Sequence, residues 1–460
     1  MKNDAINRWV VAGIFLFIAA AGFGLHFFNI GYPATPVFDE AHFATYAGDY
    51  ATGRAFVDIH PPLGKLILAS VLTFYPPQTL AKAQFINVVN LGPAGFFMLP
   101  TNTPFGDFPY VALRILSALF GMALPFALYF FLRNIGVGKV GAGLAALLLV
   151  FDNAILLTTR LILLDGMFLL FGLIALGLYF HKKCPAIAAG IFWGLALAVK
   201  LTAIVFVVPV IVAYFLVRKE ERKNEKKLLL RFAIFGIATL CVIAFMGTFI
   251  FTPAERIGAL HTMGFLGGKD AVVPTAQQIV AHPLAAYLFA SLREGLVSIA
   301  GYTFGDPHQK QSPWYFWPAA EIPMTYYSPD PGQPGGPIAL AGNPLVWIGA
   351  TLAVILGLAF FLRYLNDHRT GRKDRREVFI LLGGYLGGLF PFLFLQRSTF
   401  LYHYFPSLLF GIGLLGYFGG KFLKAENWTD LTPKTTFLFF MILLVVVAGF
   451  LYVAPVTYGL

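Results

Sequence analysis

The sequence has few charged residues and almost no cysteine. Only 12% of its 460 residues are charged and 58% are hydrophobic, which gives a mean hydropathy of +0.74. Soluble globular domains carry about 25% charged residues, so this composition excludes an ordinary soluble protein. Of the two cysteines, Cys184 follows two lysines and Cys241 lies within an apolar run. They provide neither a metal cluster nor a disulfide, and redox chemistry is not indicated.

The apolar runs also lack the period-two alternation of a membrane β-barrel. Because they are long and unbroken, and because hydrocarbon admits only helices or closed barrels, the sequence predicts an all-α polytopic membrane protein. The net charge of +11 does not indicate a nucleic-acid ligand, since the charges are segregated between the two sides of a membrane. No internal repeat is visible, which disfavours a transporter or flippase.

Eleven transmembrane helices are predicted, several of them shorter than the roughly 17 residues of a full crossing. The predicted N-terminal catalytic module (1–251) contains a first large loop, residues 30–109, and a second large loop, residues 252–343, separates it from a C-terminal module (344–460). The predicted helices are 9–28, 110–132, 140–151, 161–180, 186–199, 200–217, 232–251, 344–362, 378–395, 402–418 and 436–453, with Lys200 at the division of the long run 186–217.

The distribution of Lys and Arg predicts the orientation of the chain. With the N-terminus inside, the cytoplasmic segments contain 22 of the 33 Lys and Arg residues, and the outer face contains 11. Positive residues accumulate on the cytoplasmic side of membrane proteins. Both large loops, the C-terminus and the active site are therefore expected on the extracytoplasmic face of the cell membrane.

The stretch from residue 37 to 66 concentrates titratable groups between apolar flanks. It contains Asp39, Glu40, Asp58, His60 and Lys65 together with a Pro-Pro pair. Packing alone does not require such a density, whereas acid–base catalysis does. The alternative is an ordinary solvated loop between two membrane helices.

Further charges lie near the outer ends of the predicted helices. Asp165 is a second candidate acid or orienting group, and Arg114, Lys200 and Arg397 are candidates for holding an anion such as a lipid-linked phosphate. The alternatives are that the cations extend to the membrane interface, and that Asp165 merely pairs with Arg160. An anionic lipid head and a base are the parts of a glycosyl transfer.

Seven segments resemble the protein O-mannosyltransferase family of GT-C glycosyltransferases. The segments FDEAHF and GRAFVDIHPPLGKL, which contain the Asp-Glu and His-Pro-Pro pairs, are the most specific. The matches are FDEAHF (38–43), GRAFVDIHPPLGKL (53–66), YVALRILSALFG (110–121), RLILLDGMF (160–168), AVKLTAI (198–204), DPHQKQSPWYFWP (306–318) and RSTFLYHYFP (397–406). The resemblance implies a GT-C fold and transfer of mannose from a polyprenyl- or dolichyl-phosphate carrier to Ser/Thr hydroxyls of secretory proteins.

The resemblance also implies roles for individual residues. Asp39 is expected to be the general base, Glu40 to serve the acceptor or local structure, and Asp165 to support the base. The carrier phosphate is expected near Arg114, Lys200, Arg397 and His403, the first loop to be shaped by His60 and its prolines, and the acceptor to be bordered by His308, Trp314 and Trp317.

The eukaryotic family's soluble MIR domain does not fit within residues 252–343, which indicates a prokaryotic-type member and leaves a lipid or glycolipid acceptor as an alternative. The aromatic residues around Trp314 fit either an acceptor groove or an interfacial belt. Expected partners are the lipid-linked sugar, an exported polypeptide, the secretion machinery and membrane lipids.

The expected mechanism is a single displacement with inversion that needs no cofactor and no metal. An oxygen-rich divalent site made by Asp39, Glu40, His42 and Asp58 is the alternative.

Overall fold

The structure is a computed structural model that describes most of the chain. The described residues are 2–52, 58, 60–80, 84–90, 96–101, 103–220, 225–249, 311–319, 323–332, 335–366, 376–394 and 398–460. Most of the second predicted loop, together with Arg397 and His308, lies outside these residues.

The described residues are mainly α-helical, with two short hairpins. The helices are α1 (Lys2–Phe27), α2 (Glu40–Thr52), α3 (Leu63–Leu72), α4 (Pro77–Leu80), α5 (Tyr110–Ile135), α6 (Lys139–Val150), α7 (Asn153–Arg160), α8 (Asp165–Phe180), α9 (Ala186–Val199), α10 (Val208–Glu220), α11 (Glu225–Phe249), α12 (Pro344–Asn366), α13 (Arg376–Leu389), α14 (Pro391–Phe394), α15 (Phe405–Phe422) and α16 (Pro433–Tyr458). The strands are β1 (Ile86–Asn90), β2 (Phe96–Pro100), β3 (Met324–Tyr327) and β4 (Ile338–Leu340), and 3₁₀ helices cover Leu201–Val207, Trp314–Ala319, Leu401–Tyr404 and Trp428–Asp430.

Every predicted apolar run contains a helix, but only some of the described helices are long enough to be recognised as full crossings. Five described helices are long and apolar enough to span a membrane, or six if α6 and α7 form one bent span. The count of eleven is therefore not confirmed. Large apolar side chains on these helices, such as Phe23, Leu352 and Leu444, are more than half exposed, as expected of surfaces that face lipid.

The helices form two neighbouring groups. In the first, α8 packs against α5 and α9, and α9 packs against α11; in the second, α15 packs against α6, α12 and α13. Helix α5 also contacts α6, which connects the two groups. The hairpin of β3 and β4 is antiparallel, and β4 lies on α7 and α16.

The third predicted span, 140–151, corresponds to α6, and the chain bends by 60° between α6 and α7. The sequence did not predict α7, which follows the bend. Asp152 caps α7 by accepting a hydrogen bond from the Ile155 N–H at 2.9 Å, and its other oxygen accepts one from the Trp347 indole at 2.7 Å. Asn343 donates to the Phe151 carbonyl at 2.9 Å. These side chains satisfy the backbone and carboxylate groups that a broken helix leaves unpaired in hydrocarbon.

The long run 186–217 is divided at Lys200, as predicted. Helix α9 ends at Val199, Lys200 is extended with φ −152° and ψ 127°, and the chain resumes as a 3₁₀ helix before α10. The division places the Lys200 side chain at the end of a helix rather than in its middle.

The close packing of α6 on α15 generates a test of the fold. A Cβ atom added to Gly416 would lie 2.5 Å from the Gly141 carbonyl oxygen and 2.6 Å from the Ala145 Cβ. We expect Gly416→Ala to destabilise the protein by about 1–3 kcal/mol through this overlap. Gly13→Ala on α1 is the control, since a Cβ there meets nothing within 4 Å. Thermal unfolding in detergent is the measurement, and equal unfolding temperatures for both variants would contradict the packing.

Candidate active site

Glu40, the residue after Asp39, forms a buried, bidentate ion pair with Arg114. Both side chains are fully buried, and the Arg114 Nε and Nη2 atoms donate to the two Glu40 oxygens at 2.9 and 2.7 Å. The backbone N–H groups of Val37 and Ile162 donate to the same carboxylate at 2.9 and 2.8 Å. Each oxygen of Glu40 thus accepts two hydrogen bonds. The carboxylate joins α2 to α5 and to the segment between α7 and α8.

The remaining N–H groups of Arg114 point at backbone carbonyls. Nη1 donates to Ile30 and Pro33, each at 3.0 Å, and Nη2 donates to Thr35 at 3.4 Å. A guanidinium has five N–H donors, and here all five face protein acceptors. The expectation that Arg114 holds the carrier phosphate does not fit this geometry, because no donor is left for a phosphate. Arg114 instead fixes the segment that leads into α2.

Asp39 lies at a sharp turn immediately before α2. Phe38 has a φ of +54°, in the left-handed region that non-glycine residues seldom adopt. Glu40 supports the turn by accepting the Val37 N–H, and the Tyr326 ring stacks on Phe38 with centroids 4.3 Å apart. Backbone conformations of this kind persist only where the surroundings hold them, and they are concentrated at functional sites.

The environment of Asp39 raises the pKa of its carboxyl group. Burial raises the pKa of Asp39, and although electrostatic interactions with His42, His60 and Lys200 oppose this, the nearby Asp165 adds to it and the pKa stays above its usual value. A carboxyl group with a raised pKa takes up a proton at a pH nearer to neutrality, as a general base requires. The structure therefore brings Asp39 together with predicted site residues that are far apart in the sequence.

Lys200 and Asp165 form an ion pair beside Asp39. Lys200 Nζ lies 2.9 Å from an Asp165 oxygen, 5.0 Å from the centre of the Tyr402 ring and 5.6 Å from that of Phe168. Asp165 is the first residue of α8, where the helix dipole stabilises a negative charge. The alternative partner of Asp165 in the sequence, Arg160, lies elsewhere.

Arg160 is used to join other elements. Its guanidinium donates to the Phe28 carbonyl and lies over the Tyr458 ring at 4.5 Å, and the Tyr458 hydroxyl donates to the Leu25 carbonyl at 2.8 Å. These contacts hold α7, α16 and the end of α1 together.

His60 belongs to a second network in the first loop. Lys65 Nζ donates to Asp58 at 2.7 Å and to the His60 carbonyl at 2.8 Å, while the His60 ring lies 3.2 Å from Asp58. Burial by itself raises the pKa of Asp58, but Lys65 and His60 outweigh it and hold that pKa well below its usual range. The His60 ring also packs edge-on against Phe43, one turn after Asp39. That His60 shapes the first loop stays a prediction, and these contacts are the ones it makes among the described residues.

The acceptor residues expected from the sequence are in different environments. Trp317 is 1% exposed and donates to the Ser312 hydroxyl at 2.8 Å, so its ring packs inside the protein and does not line a groove. Trp314 is half-buried, and Tyr315 is 60% exposed. His403 stacks near Trp317 with ring centres 6.2 Å apart. Among the acceptor and phosphate candidates, Arg397 and His308 lie outside the described residues.

The alternative divalent site is not assembled in the described part of the chain. No three His, Cys, Asp or Glu side chains there are arranged to hold a metal ion. Of the four proposed ligands, Glu40 and Asp58 each pair with a buried cation of the protein. The expectation of a metal-free reaction stays a prediction.

Tyr326 is a site residue that the sequence did not indicate. It lies on β3, is 4% exposed, and its ring covers Phe38. No motif marks it, because its proximity to Asp39 arises from a hairpin almost 290 residues further along the chain. Only the fold could have identified it.

Sequence comparison places the chain among mannosyltransferases. The family described as dolichyl-phosphate-mannose-protein mannosyltransferase matches residues 16–263, and that described as the C-terminal four TMM region of protein-O-mannosyltransferase matches residues 289–460. Dolichyl-phosphate-mannose--protein mannosyltransferase 4 of Schizosaccharomyces pombe is 32% identical over 154 residues, which cover 33% of this chain and 18% of that protein. Protein O-mannosyltransferase 1 of Drosophila pseudoobscura pseudoobscura is 28% identical over 306 residues, which cover 64% of this chain and 30% of that protein. The matches thus span less than a third of either relative.

Solved structures confirm the predicted GT-C fold. The S. cerevisiae protein O-mannosyltransferase Pmt1-Pmt2 complex bound to the sugar donor has a TM-score of 0.76 at 16% identity, over 98% of this chain and 90% of that chain. The archaeal oligosaccharyltransferase AglB from Archaeoglobus fulgidus has a TM-score of 0.59 at 11% identity, over 98% of this chain and 56% of that chain. Because the first family match alone covers more than half of the sequence, the chain belongs to the dolichyl-phosphate-mannose-protein mannosyltransferase family.

Proposed function

We propose that this chain is an inverting glycosyltransferase that moves mannose from a polyprenyl-phosphate carrier to Ser or Thr hydroxyls of exported polypeptides. The observation that carries the proposal is the position of Asp39, a half-buried carboxyl group with a raised pKa beside the Lys200–Asp165 pair. A base and a cation in one place suit transfer from a phosphate leaving group. Family membership supports mannose as the sugar.

Asp39 would act on the acceptor. Its carboxylate takes the proton from the acceptor hydroxyl as the hydroxyl oxygen attacks the anomeric carbon, on the face opposite the phosphate. The bond from that carbon to the phosphate oxygen breaks, and its electron pair leaves with the carrier phosphate. One displacement inverts the configuration of the sugar carbon.

Lys200 would act on the leaving phosphate. Its ammonium group has three N–H donors, one of which serves Asp165, and it can stabilise the negative charge that develops. The expected contacts of Arg397 and His403 would add to this, and His403 lies against the Tyr402 ring that also packs under Lys200. With these cations the reaction as proposed requires no metal.

We place the reaction on the extracytoplasmic face of the cell membrane. The segregation of Lys and Arg supports this orientation. On that face an acceptor polypeptide would arrive extended from the secretion machinery, before folding hides its hydroxyl groups.

The role of Asp39 as base predicts the effect of removing its charge. Asp39→Asn is expected to lower turnover by about 10²- to 10⁴-fold while donor binding persists, because the volume hardly changes. Asp107→Asn, at an exposed carboxyl in the same loop, is the control. More than about a tenth of normal turnover in Asp39→Asn would refute the assignment.

The raised pKa of Asp39 also predicts the pH dependence of the unmodified protein. The base works only when it is ionised, so kcat/KM is expected to fall as the pH is lowered through the pKa of Asp39. Because that pKa is raised, the fall should occur at a higher pH than the ordinary aspartate pKa of about 3.9.

The structural assignment of Arg114 predicts a loss of stability. Arg114→Ala leaves the Glu40 carboxylate buried without its partner, which is expected to cost about 3–5 kcal/mol. Arg133→Ala, at the other end of α5 and half-buried, is the matched control. Thermal unfolding in detergent and donor binding are measured on both variants. If Arg114→Ala unfolded like the unmodified protein and lost only donor affinity, Arg114 would contact the phosphate after all.

The acceptor class is tested with the purified protein in detergent. We expect labelled mannose to pass from polyprenyl-phosphate mannose to a Ser/Thr-rich peptide, with the product identified by mass spectrometry. The same peptide with every Ser and Thr replaced by Ala is the control. Transfer to a membrane lipid extract but to no hydroxyl-bearing peptide would show a lipid acceptor and would leave the role of Asp39 intact.

A further inference from the structure

Tyr326 is the bulged residue of the hairpin that covers the site. Met324 pairs with Leu340, Thr325 with Ala339 and Tyr327 with Ile338, so that Tyr326 has no partner on β4. A β-bulge changes the direction of a side chain, and bulges are common beside active sites. Here the bulge leaves Tyr326 buried and Tyr327 partly exposed on consecutive positions.

The Tyr326 hydroxyl is buried and makes no hydrogen bond to any described residue. The side chain is only 4% exposed, so bulk water does not replace the missing partner. Thr158 on α7 lies nearby and its hydroxyl donates to the Ala154 carbonyl of its own helix at 2.9 Å, but the Thr158 and Tyr326 hydroxyls are not in hydrogen-bond geometry with each other. Unpaired buried polar groups are rare in folded proteins, and each calls for an explanation.

The phenol lies within the proposed catalytic site. Its ring stacks on Phe38, the residue before Asp39, and Phe38 in turn lies 5.8 Å from the Tyr402 ring under Lys200. Burial, together with the negative charge of Asp165 and Asp39, raises the pKa of Tyr326 well above its usual value. The hydroxyl therefore stays protonated and is available as a hydrogen-bond donor.

We propose that the Tyr326 hydroxyl donates a hydrogen bond to a hydroxyl oxygen of the sugar being transferred, and is thus a further catalytic residue. This inference rests on the proposed function. The charge of the site favours the sugar over the phosphate at this position, because the phenol experiences the negative charge of Asp39 and Asp165, whereas the phosphate is assigned to the ammonium group of Lys200. Those carboxylates also suit a polyol, whose hydroxyl groups donate to them while accepting from Tyr326.

The test compares Tyr326→Phe with Tyr327→Phe in the full chain. Both changes remove one hydroxyl from neighbouring positions of the same strand. With polyprenyl-phosphate mannose as donor, Tyr326→Phe is expected to lower kcat/KM about five- to tenfold, the effect of one lost neutral hydrogen bond, and Tyr327→Phe less than about twofold. The unfolding temperature of Tyr326→Phe should not fall, because the hydroxyl has no partner within the described protein to lose.

A series of monodeoxy-mannose donors identifies the contact. For one of them, the unmodified protein and Tyr326→Phe are expected to show equal kcat/KM, because the sugar hydroxyl that Tyr326 contacts is already absent. For the other deoxy donors the five- to tenfold difference should remain.

Three results would overturn the inference. They are transfer of mannose by Tyr326→Phe as fast as by the unmodified protein, a slowing by the same factor with every deoxy donor, and a loss of stability together with activity. Each of these leaves the proposed function standing. Absence of transfer by the unmodified protein, by contrast, would refute the proposed function and the inference with it.

Discussion

The buried ion pair of Glu40 and Arg114 is the interaction on which the candidate site depends. Moving two charges out of water is costly, and the cost is offset only when geometry and further hydrogen bonds are complete. Both conditions are met here: the pair is bidentate, and five backbone groups complete it, at Ile30, Pro33, Thr35, Val37 and Ile162. The turn before α2 therefore has a single position relative to α5 and to the start of α8.

This constraint separates the roles of two adjacent carboxylates. Glu40 is the first residue of α2 and is bound to Arg114, whereas Asp39 belongs to the turn before the helix. Asp39 lies beside the Lys200–Asp165 pair, whose charges help to set its protonation. One acid is neutralised by a permanent partner and holds the fold, and the other keeps the capacity to accept a proton.

The surrounding fold limits the water around these groups. Phe38, Tyr326 and Tyr402 cover one side of the site, and the Asp58–Lys65 pair fixes the first loop on another. Where water is scarce, each charge acts more strongly on its neighbours. The site therefore draws its chemistry from a few side chains that are far apart in the sequence.

Composition was enough to predict an all-α membrane protein and the break at Lys200, because hydrophobicity and local charge density can be read directly from the order of the residues. The GT-C fold followed from the resemblance of the seven segments to a known family, and the charge density of the first loop made Asp39 and Glu40 candidate site residues. The chain order alone was not enough to show that Arg114 serves Glu40, that Trp317 is buried, or that Tyr326 reaches Asp39. These depend on distances between residues remote in sequence. The physical reason is that a buried charge or hydroxyl takes its role from its partners, and only tertiary packing decides which partners it has.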